Sequence, residues 1–176
     1  MEYYHNRYRG RSGCDLSEQY VFYCMYTRSK GQKNLASCFP MLPKGGVCRE
    51  YTWPYYGNDI PGNPAQGPPP PGAAQEESAY ACKQVERLRA QSVDDIKKAL
   101  LLERVVAIGI PVYESWYKSV AVRQYGNITL PLPGEVPEPV GHAIALVGYQ
   151  DDPGFAGGGF FIVRNSWGNH WATYSQ

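Results

Sequence analysis

The sequence predicts an α+β protein, in which helices dominate the first part of the chain and strands the second. Three observations carry this prediction. Helix-capping residues precede a helical pattern near the N-terminus, a Pro- and Gly-rich stretch interrupts the chain at residues 58–72, and runs of β-branched and apolar residues follow it. With 176 residues, the chain is long enough for one domain, or for two small lobes that share a cleft.

The first predicted element is a helix that begins after Asp15 or Ser17, since either side chain can accept a hydrogen bond from the first turn. Gly31 is the residue type that commonly ends a helix. Prolines and glycines then break the chain over residues 38–46, and residues 47–55 are predicted to form an aromatic-rich turn segment.

The middle of the chain is predicted to be a surface loop. Each proline there removes a backbone donor and restricts its neighbour, so no regular element is expected. We interpret residues 58–75 as a Pro/Gly-rich loop that joins a partial helical lobe, residues 1–57, to a β-rich lobe, residues 76–176.

The pattern changes after this loop. Residues 83–90 indicate a strand or the approach to one, and Ser92 caps a predicted helix over residues 93–103. The β-branched run at residues 105–110 is typical of a buried strand, and residues 113–120 are predicted to form a short helix.

Two predicted strands near the C-terminus, residues 141–149 and 159–165, are joined by a Gly-rich hairpin, and the last residues are predicted to form a further strand. His142 begins the first strand and Asn165 ends the second. Antiparallel neighbours bring the start of one strand close to the end of the other, so we expect the two side chains to meet at one rim of the sheet.

This pair indicates nucleophilic catalysis. A carboxamide oxygen beside an imidazole fixes the orientation and tautomer of the ring, which is the base-and-orienter half of a catalytic triad. Trp167 follows Asn165 by two residues and would shield their hydrogen bond from water. Taken alone, His142 could simply cap a strand and Asn165 could sit in a turn, but the two motifs in this order favour the catalytic interpretation.

Charge and composition argue against several other classes. The 17 Lys and Arg nearly balance the 16 Asp and Glu, so we predict no nucleic-acid partner, and we interpret the Tyr/Arg mixture at residues 2–11 as a solvated end. No apolar run approaches the roughly 20 residues of a membrane span, so no membrane is predicted as a partner. The chain opens without a secretory signal pattern, and its localisation is left unknown.

Cysteine usage leaves the redox state open. The number of cysteines is odd and no C-x-x-C pair occurs. We predict no metal or organic cofactor. Cys38 and Cys48 could form a local disulfide, and free thiols are an equal alternative. The five cysteines are Cys14, Cys24, Cys38, Cys48 and Cys82.

The segments around His142 and Asn165 resemble the His and Asn motifs of the papain family of cysteine peptidases. Residues 141–149 are G-H-A-I-A-L-V-G-Y and residues 161–168 are F-I-V-R-N-S-W-G. The family often has (N or G)-H-A-(apolar)…V-G-Y and (apolar)-(K or R)-N-S-W-G at these places. The two motifs in one chain are a specific signal.

Upstream segments are similar to the bacterial-type branch of that family. Residues 16–19 are L-S-E-Q, residues 46–55 resemble G-(I or V)-C-x-E…W-P-Y, and residues 112–116 resemble V-Y-E-S-F. The resemblance covers nearly all of residues 14–172. It implies a papain-like two-lobed α+β fold, with a helical lobe, an antiparallel β-barrel-like lobe and an active cleft between them.

The resemblance also implies hydrolysis of a peptide or protein substrate through a thiol acyl-enzyme. A thiolate attacks the carbonyl, and the imidazolium protonates the leaving amine. By position, His142 would be the general acid/base and Asn165 its orienter. Neighbouring motif positions would support them: Trp167 as the shield, Ser166 within the same motif, and Gly141 and Ala143 at the border of the cleft.

One departure from the family concerns the nucleophile. No residues before Ser17 match the family's Q-G-x-C-G-x-C-W motif, and Cys14 is the only cysteine there. A helix N-terminus would favour a Cys14 thiolate, but Asp15 beside it opposes ionisation, so Cys14 is a disfavoured nucleophile. We therefore expect a fragment that is incomplete at both ends, inactive alone, and in need of a missing N-terminal segment or a partner chain.

Two further interpretations stay open. A non-catalytic papain-like module could bind peptides or proteins, with the Pro-rich residues 61–71 as the contact, and an acyl-transfer relative could ligate rather than hydrolyse. Substrate preference is not determined by the sequence. Tyr113, Trp116 and Tyr117 either line the cleft or pack in the core, and we favour the core.

Overall fold

The chain divides into two compact units, Met1–Arg87 and Leu88–Gln176. No helix in the part of the chain that the structure describes is long and apolar enough to cross a membrane. The structure, a computed structural model, describes residues 1–10, 12–28, 35, 39–43, 45–55, 68–168 and 171–172.

The Met1–Arg87 unit is built from helices and turns. Ser17 begins the second helix, because its Oγ accepts a hydrogen bond from the Tyr20 backbone N–H at 2.9 Å. The predicted helix is therefore confirmed, whereas its predicted end at Gly31 lies outside the described residues. The elements are α1 (Glu2–Tyr8), α2 (Glu18–Arg28), α3 (Ala73–Glu77) and two 3₁₀ turns, Phe39–Met41 and Ser78–Tyr80.

The core of this unit joins the start of α2 to the turn segment at residues 47–53. The Ser17 hydroxyl donates to the backbone oxygen of Trp53 at 2.6 Å. Cys48 is a buried free thiol, so it does not form the local disulfide considered with Cys38, which lies outside the described residues. The buried apolar residues are Leu16, Tyr20, Val47, Cys48, Trp53 and Ala73.

The Leu88–Gln176 unit combines a sheet with short helices. Ser92 caps the predicted first helix by accepting from the Asp95 N–H at 3.2 Å. Residues 83–90, predicted to be a strand or the approach to one, form no strand in the structure, since residues 83–87 are exposed and the segment pairs with no described strand. The elements are α4 (Val93–Leu101), β1 (Val106–Ile110), α5 (Glu114–Lys118), α6 (Val120–Tyr125), β2 (His142–Asp151) and β3 (Gly159–Arg164).

The three strands form an antiparallel sheet in the order β1-β2-β3. Ile110 pairs with His142, and Ala145 pairs with Arg164. The mixed helix-and-sheet class is confirmed, but the sheet is open in the described residues and does not close into the predicted barrel-like form. The proposed lobes, residues 1–57 and 76–176, stay a prediction, and residues 58–67 of the predicted loop lie outside the described part of the chain.

Candidate active site

The structure brings His142 and Asn165 together at one rim of the sheet. His142 is the first residue of β2, and Asn165 directly follows the last residue of β3. Because these strands are antiparallel neighbours, the start of β2 lies beside the end of β3. The His142 Nε2 and Asn165 Oδ1 atoms are 2.7 Å apart, which is hydrogen-bond distance.

The hydrogen-bond pattern around Asn165 fixes the tautomer of His142. The Ser166 backbone N–H donates to Asn165 Oδ1 at 2.8 Å, so the atom on this side of the carboxamide is the acceptor oxygen. An oxygen acceptor requires the proton of the bond to His142 to reside on Nε2. In the neutral ring, Nδ1 then holds the lone pair and can act as a base.

An aromatic cluster contacts His142. The Trp167 indole stacks on the His142 ring with centroids 4.9 Å apart and planes 28° apart. The Trp171 ring contacts the same indole edge-on at 5.3 Å, and the Tyr117 ring stacks on it at 5.9 Å. Trp167 therefore contacts the imidazole ring directly, as expected of a residue that shields the ring from water. Two further aromatic rings contact Trp167.

The residues on either side of His142 lie on the same rim. A Cβ added to Gly141 would lie 3.0 Å from the Ile110 backbone oxygen, so the close pairing of β1 and β2 at this point leaves little room for a side chain. Ala143 is exposed and pairs with Gly109. Small residues therefore flank His142 on both sides.

Of the three aromatic residues predicted in this region, two lie in the core. Trp116 is 6% exposed and packs with Val112 and Val122, and Tyr113 packs against the same cluster. Tyr117 differs, since it is 53% exposed and stacks on Trp167. Consecutive helical residues point about 100° apart, so the sequence indicates that Trp116 and Tyr117 face different directions, but not which of them faces the core.

A carboxylate that the sequence did not identify holds the loop before His142. Glu135 accepts from the Ser115 N–H and hydroxyl, both at 2.8 Å, and from the Leu132 N–H at 2.9 Å. The hydrogen bond from the Ser115 backbone, followed by the other donors, lowers the pKa of Glu135. The Glu138 N–H also donates to the Val112 carbonyl at 2.8 Å, so the loop is tied to the segment around the start of α5.

The described cysteines lie in the Met1–Arg87 unit. Burial raises the pKa of the Cys48 thiol to about 11, and burial also raises the pKa of Cys82. A raised pKa disfavours the thiolate form that attacks a carbonyl, so neither thiol is suited to act as a nucleophile. The Cys14 N–H donates to Asn6 Oδ1 at 3.1 Å in this unit. No described group of three or more His, Cys, Asp or Glu side chains could hold a metal ion.

Comparisons with known proteins extend this geometry. A family model described as papain family cysteine protease matches residues 1–175. No curated protein sequence matches the chain. Xylellain, a cysteine protease from Xylella fastidiosa, is similar in structure with a TM-score of 0.69 and 25% identity, over 89% of this chain and 60% of xylellain. The chain thus spans less than two thirds of that relative's length.

A second solved structure shows the fold alone. The bromelain protease from Ananas comosus, solved in complex with the E64 inhibitor, aligns with a TM-score of 0.55 and 18% identity. The match covers 93% of this chain and 68% of bromelain. Both solved structures therefore place the mixed helix and antiparallel sheet of this chain among papain-like architectures.

Proposed function

The chain belongs to the papain family of cysteine proteases, and from this premise we propose that its site hydrolyses peptide bonds through a thiol acyl-enzyme, with His142 as the general acid/base. The observation that carries the proposal is the 2.7 Å hydrogen bond between His142 Nε2 and Asn165 Oδ1. Papain-like proteases act on peptide or protein substrates, and we propose the same substrate class here.

The proposed reaction uses the lone pair on His142 Nδ1. Nδ1 takes the proton of a cysteine thiol, the thiolate attacks the substrate carbonyl carbon, and the imidazolium returns the proton to the leaving amine as the C–N bond breaks. Water then gives a proton to Nδ1 and its oxygen attacks the thioester, which releases the acid and restores the thiol. Nε2–H stays bonded to Asn165 throughout, so the ring keeps its orientation.

The indole of Trp167 has a supporting role in this proposal. It stacks on the imidazole whose Nε2 bonds to Asn165, so it limits the access of water to that hydrogen bond. Water would compete for the Asn165 oxygen and free the ring to rotate. A hydrogen bond from which water is excluded is stronger than a solvent-exposed one because the local dielectric constant is lower.

We further propose that the nucleophilic thiol comes from a segment outside these 176 residues, and that the chain is inactive alone. Burial raises the pKa of the Cys48 and Cys82 thiols, which disfavours both as nucleophiles. Cys14 stands in no motif of the Q-G-x-C-G-x-C-W type. The chain also aligns with only 60% of the length of xylellain.

Sequencing the source DNA over about fifty codons upstream of Met1 and downstream of Gln176 tests this proposal. The window is set by the chain length that a missing first helix and a missing last strand would need. We expect an in-frame segment with the glutamine and cysteine of the nucleophile motif. A stop codon just before Met1, without such a segment, would contradict hydrolysis and favour a peptide-binding module instead.

The tautomer can be tested on the chain itself. Nitrogen-15 NMR of the His142 ring at neutral or slightly alkaline pH distinguishes a protonated Nε2 from a protonated Nδ1, and we expect the Nε2–H form. Asn165→Ala should weaken this preference, because the oxygen that selects the tautomer is removed. A dominant Nδ1–H form in the unchanged chain would contradict the assignment of Nδ1 as the base.

A further inference from the structure

Tyr117 is an exposed aromatic residue whose ring contacts the site without belonging to the core. Tyr117 is 53% exposed, and its ring centroid lies 5.9 Å from that of the Trp167 ring with planes 25° apart. The same Trp167 ring stacks on His142 at 4.9 Å. Tyr117 is therefore one ring removed from the imidazole.

The indole of Trp167 lies on a segment that needs support from elsewhere. Residues 165–168 form no helix or strand, and Gly168 has a φ of +85°, where glycine is favoured. The backbone hydrogen bonds of a helix or strand therefore do not fix the orientation of the Trp167 indole. Trp171 contacts it from the same end of the chain, whereas Tyr117 contacts it from α5.

Helix α5 is well fixed despite its five residues. Glu135 accepts two hydrogen bonds from Ser115, and the Trp116 indole N–H donates to the Thr129 carbonyl at 3.1 Å. Trp116 is also buried. These neighbours of Tyr117 in sequence hold its backbone, so its ring is presented to Trp167 from a rigid base.

We propose that Tyr117 is a positioning residue that holds the Trp167 indole on the His142 ring. It acts through Trp167, by offering a flat aromatic face for stacking, which aliphatic side chains lack. The phenol hydroxyl has no part in this contact, so a phenylalanine should replace it. The inference rests on the proposed function, in which the orientation of His142 matters for catalysis.

Proton NMR of the histidine ring signals in the 176-residue chain tests this inference. Protons that stack on an indole are displaced upfield, and His142→Gln identifies which signals belong to His142. We expect Tyr117→Ala to remove most of this upfield displacement and Tyr117→Phe to preserve it. Val120→Ala is the matched control, since Val120 is 61% exposed on the adjacent helix, and it should leave the His142 signals in place.

Two outcomes would overturn the proposal. One is a folded Tyr117→Ala variant with unchanged His142 signals, and the other is a Tyr117→Phe variant that loses the displacement as fully as alanine does. If Tyr117→Ala fails to fold, Tyr117→Leu keeps apolar volume without a flat face and should show the same loss. An unchanged His142 signal in that variant would count equally against the positioning role.

The same measurements separate this inference from the proposed function. The NMR signals report ring stacking in the chain without substrate, so this measurement does not depend on peptide cleavage. If cleavage is never found but the signals respond as expected, only the proposed hydrolysis fails. In a complete protein that does cleave peptides, Tyr117→Ala should lower kcat more than it raises KM, and Tyr117→Phe should restore kcat.

Discussion

The two units of the chain use different means to bring distant residues together. In Met1–Arg87, polar side chains join turns to helices, as when the Ser17 hydroxyl donates to the Trp53 carbonyl and Thr52 donates to Glu76 at 2.8 Å. In Leu88–Gln176, the register of the sheet brings distant residues together, and it sets His142 beside Asn165. Single polar changes should therefore disturb the fold in the first unit and the chemistry in the second.

The largest expected effect is on chemistry in the second unit. In a complete protein that supplies the thiol, His142→Ala should lower kcat/KM by about 10²- to 10⁴-fold, the usual contribution of a general acid/base. The unfolding midpoint should change little, because His142 is half-buried at the rim of the sheet. Peptide hydrolysis and urea unfolding of the same preparation measure both, and activity within a few-fold of the unchanged protein would refute the role of His142.

The largest expected effect on stability lies in the first unit. Gly46 is buried with a φ of +98°, and an added Cβ would lie 2.0 Å from the Glu77 backbone oxygen. Relieving this clash would require the backbone at Gly46 or at Glu77 to shift, so Gly46→Ala should lower the free energy of unfolding by about 4 kcal/mol or more. Gly109→Ala in β1 is the matched control, since a Cβ added there would have no atom within 4 Å.

Urea unfolding of both glycine variants checks this prediction. The Gly109 variant should stay close to the unchanged chain, because alanine adopts a strand backbone without strain and restricts the unfolded state. Equal midpoints for the two variants would mean that the close approach of Gly46 to Glu77 does not limit stability.

The parts of the site that the sequence predicted are those with a periodic or local signal. Apolar runs located β2 and β3, and their antiparallel order was enough to predict that His142 and Asn165 meet. Tyr117 was assigned to the core because periodicity alone does not say which of two adjacent aromatic residues faces outward in so short a helix. Glu135 was missed because its loop has no repeating pattern, and its partners depend on the tertiary fold.

The errors elsewhere have the same origin. Residues 83–90 contain apolar residues typical of a strand but have no described partner strand to pair with, and a strand needs one. Helix α1 was not predicted, because its N-cap, Met1, makes no side-chain capping bond that a sequence pattern would indicate. Ser92, which accepts a capping bond, is the predicted start of its helix, and Ser17, which also accepts one, is one of the two predicted caps of the first helix, beside Asp15.

A smaller expected effect compares these two serine caps. Ser17 is fully buried and both accepts from Tyr20 and donates to Trp53, so Ser17→Ala should cost about 2–3 kcal/mol. Ser92 makes a single capping bond in the second unit, and Ser92→Ala should cost about 1 kcal/mol. Urea unfolding of both variants measures the ranking, and the reverse order would show that turn-to-helix hydrogen bonds do not dominate the first unit.

The smallest expected effect is the pH dependence of two carboxylates, one in each unit. The Arg49 side chain, its backbone N–H and Thr52 lower the pKa of Glu76 from 4.5 to about 2, and the pKa of Glu135 is also lowered. A lowered pKa in the folded state stabilises the protein above the unfolded pKa, and this contribution is lost as pH falls through the folded pKa. For Glu76, the loss should therefore fall between pH 4.5 and about 2.

Unfolding midpoints in urea at about pH 7 and about pH 3 test both groups. Glu76→Gln and Glu135→Gln should each lower stability near neutral pH and flatten its fall in acid, because glutamine does not titrate. Both effects should be modest, since these contacts lie close to solvent, where water and salt screen them. Glu135→Gln should in addition shift the NMR signals of the His142 ring, since the loop that holds Glu135 leads into β2. Glu76→Gln should change the stability and leave the His142 signals in place. This difference would keep the roles of the two units distinct.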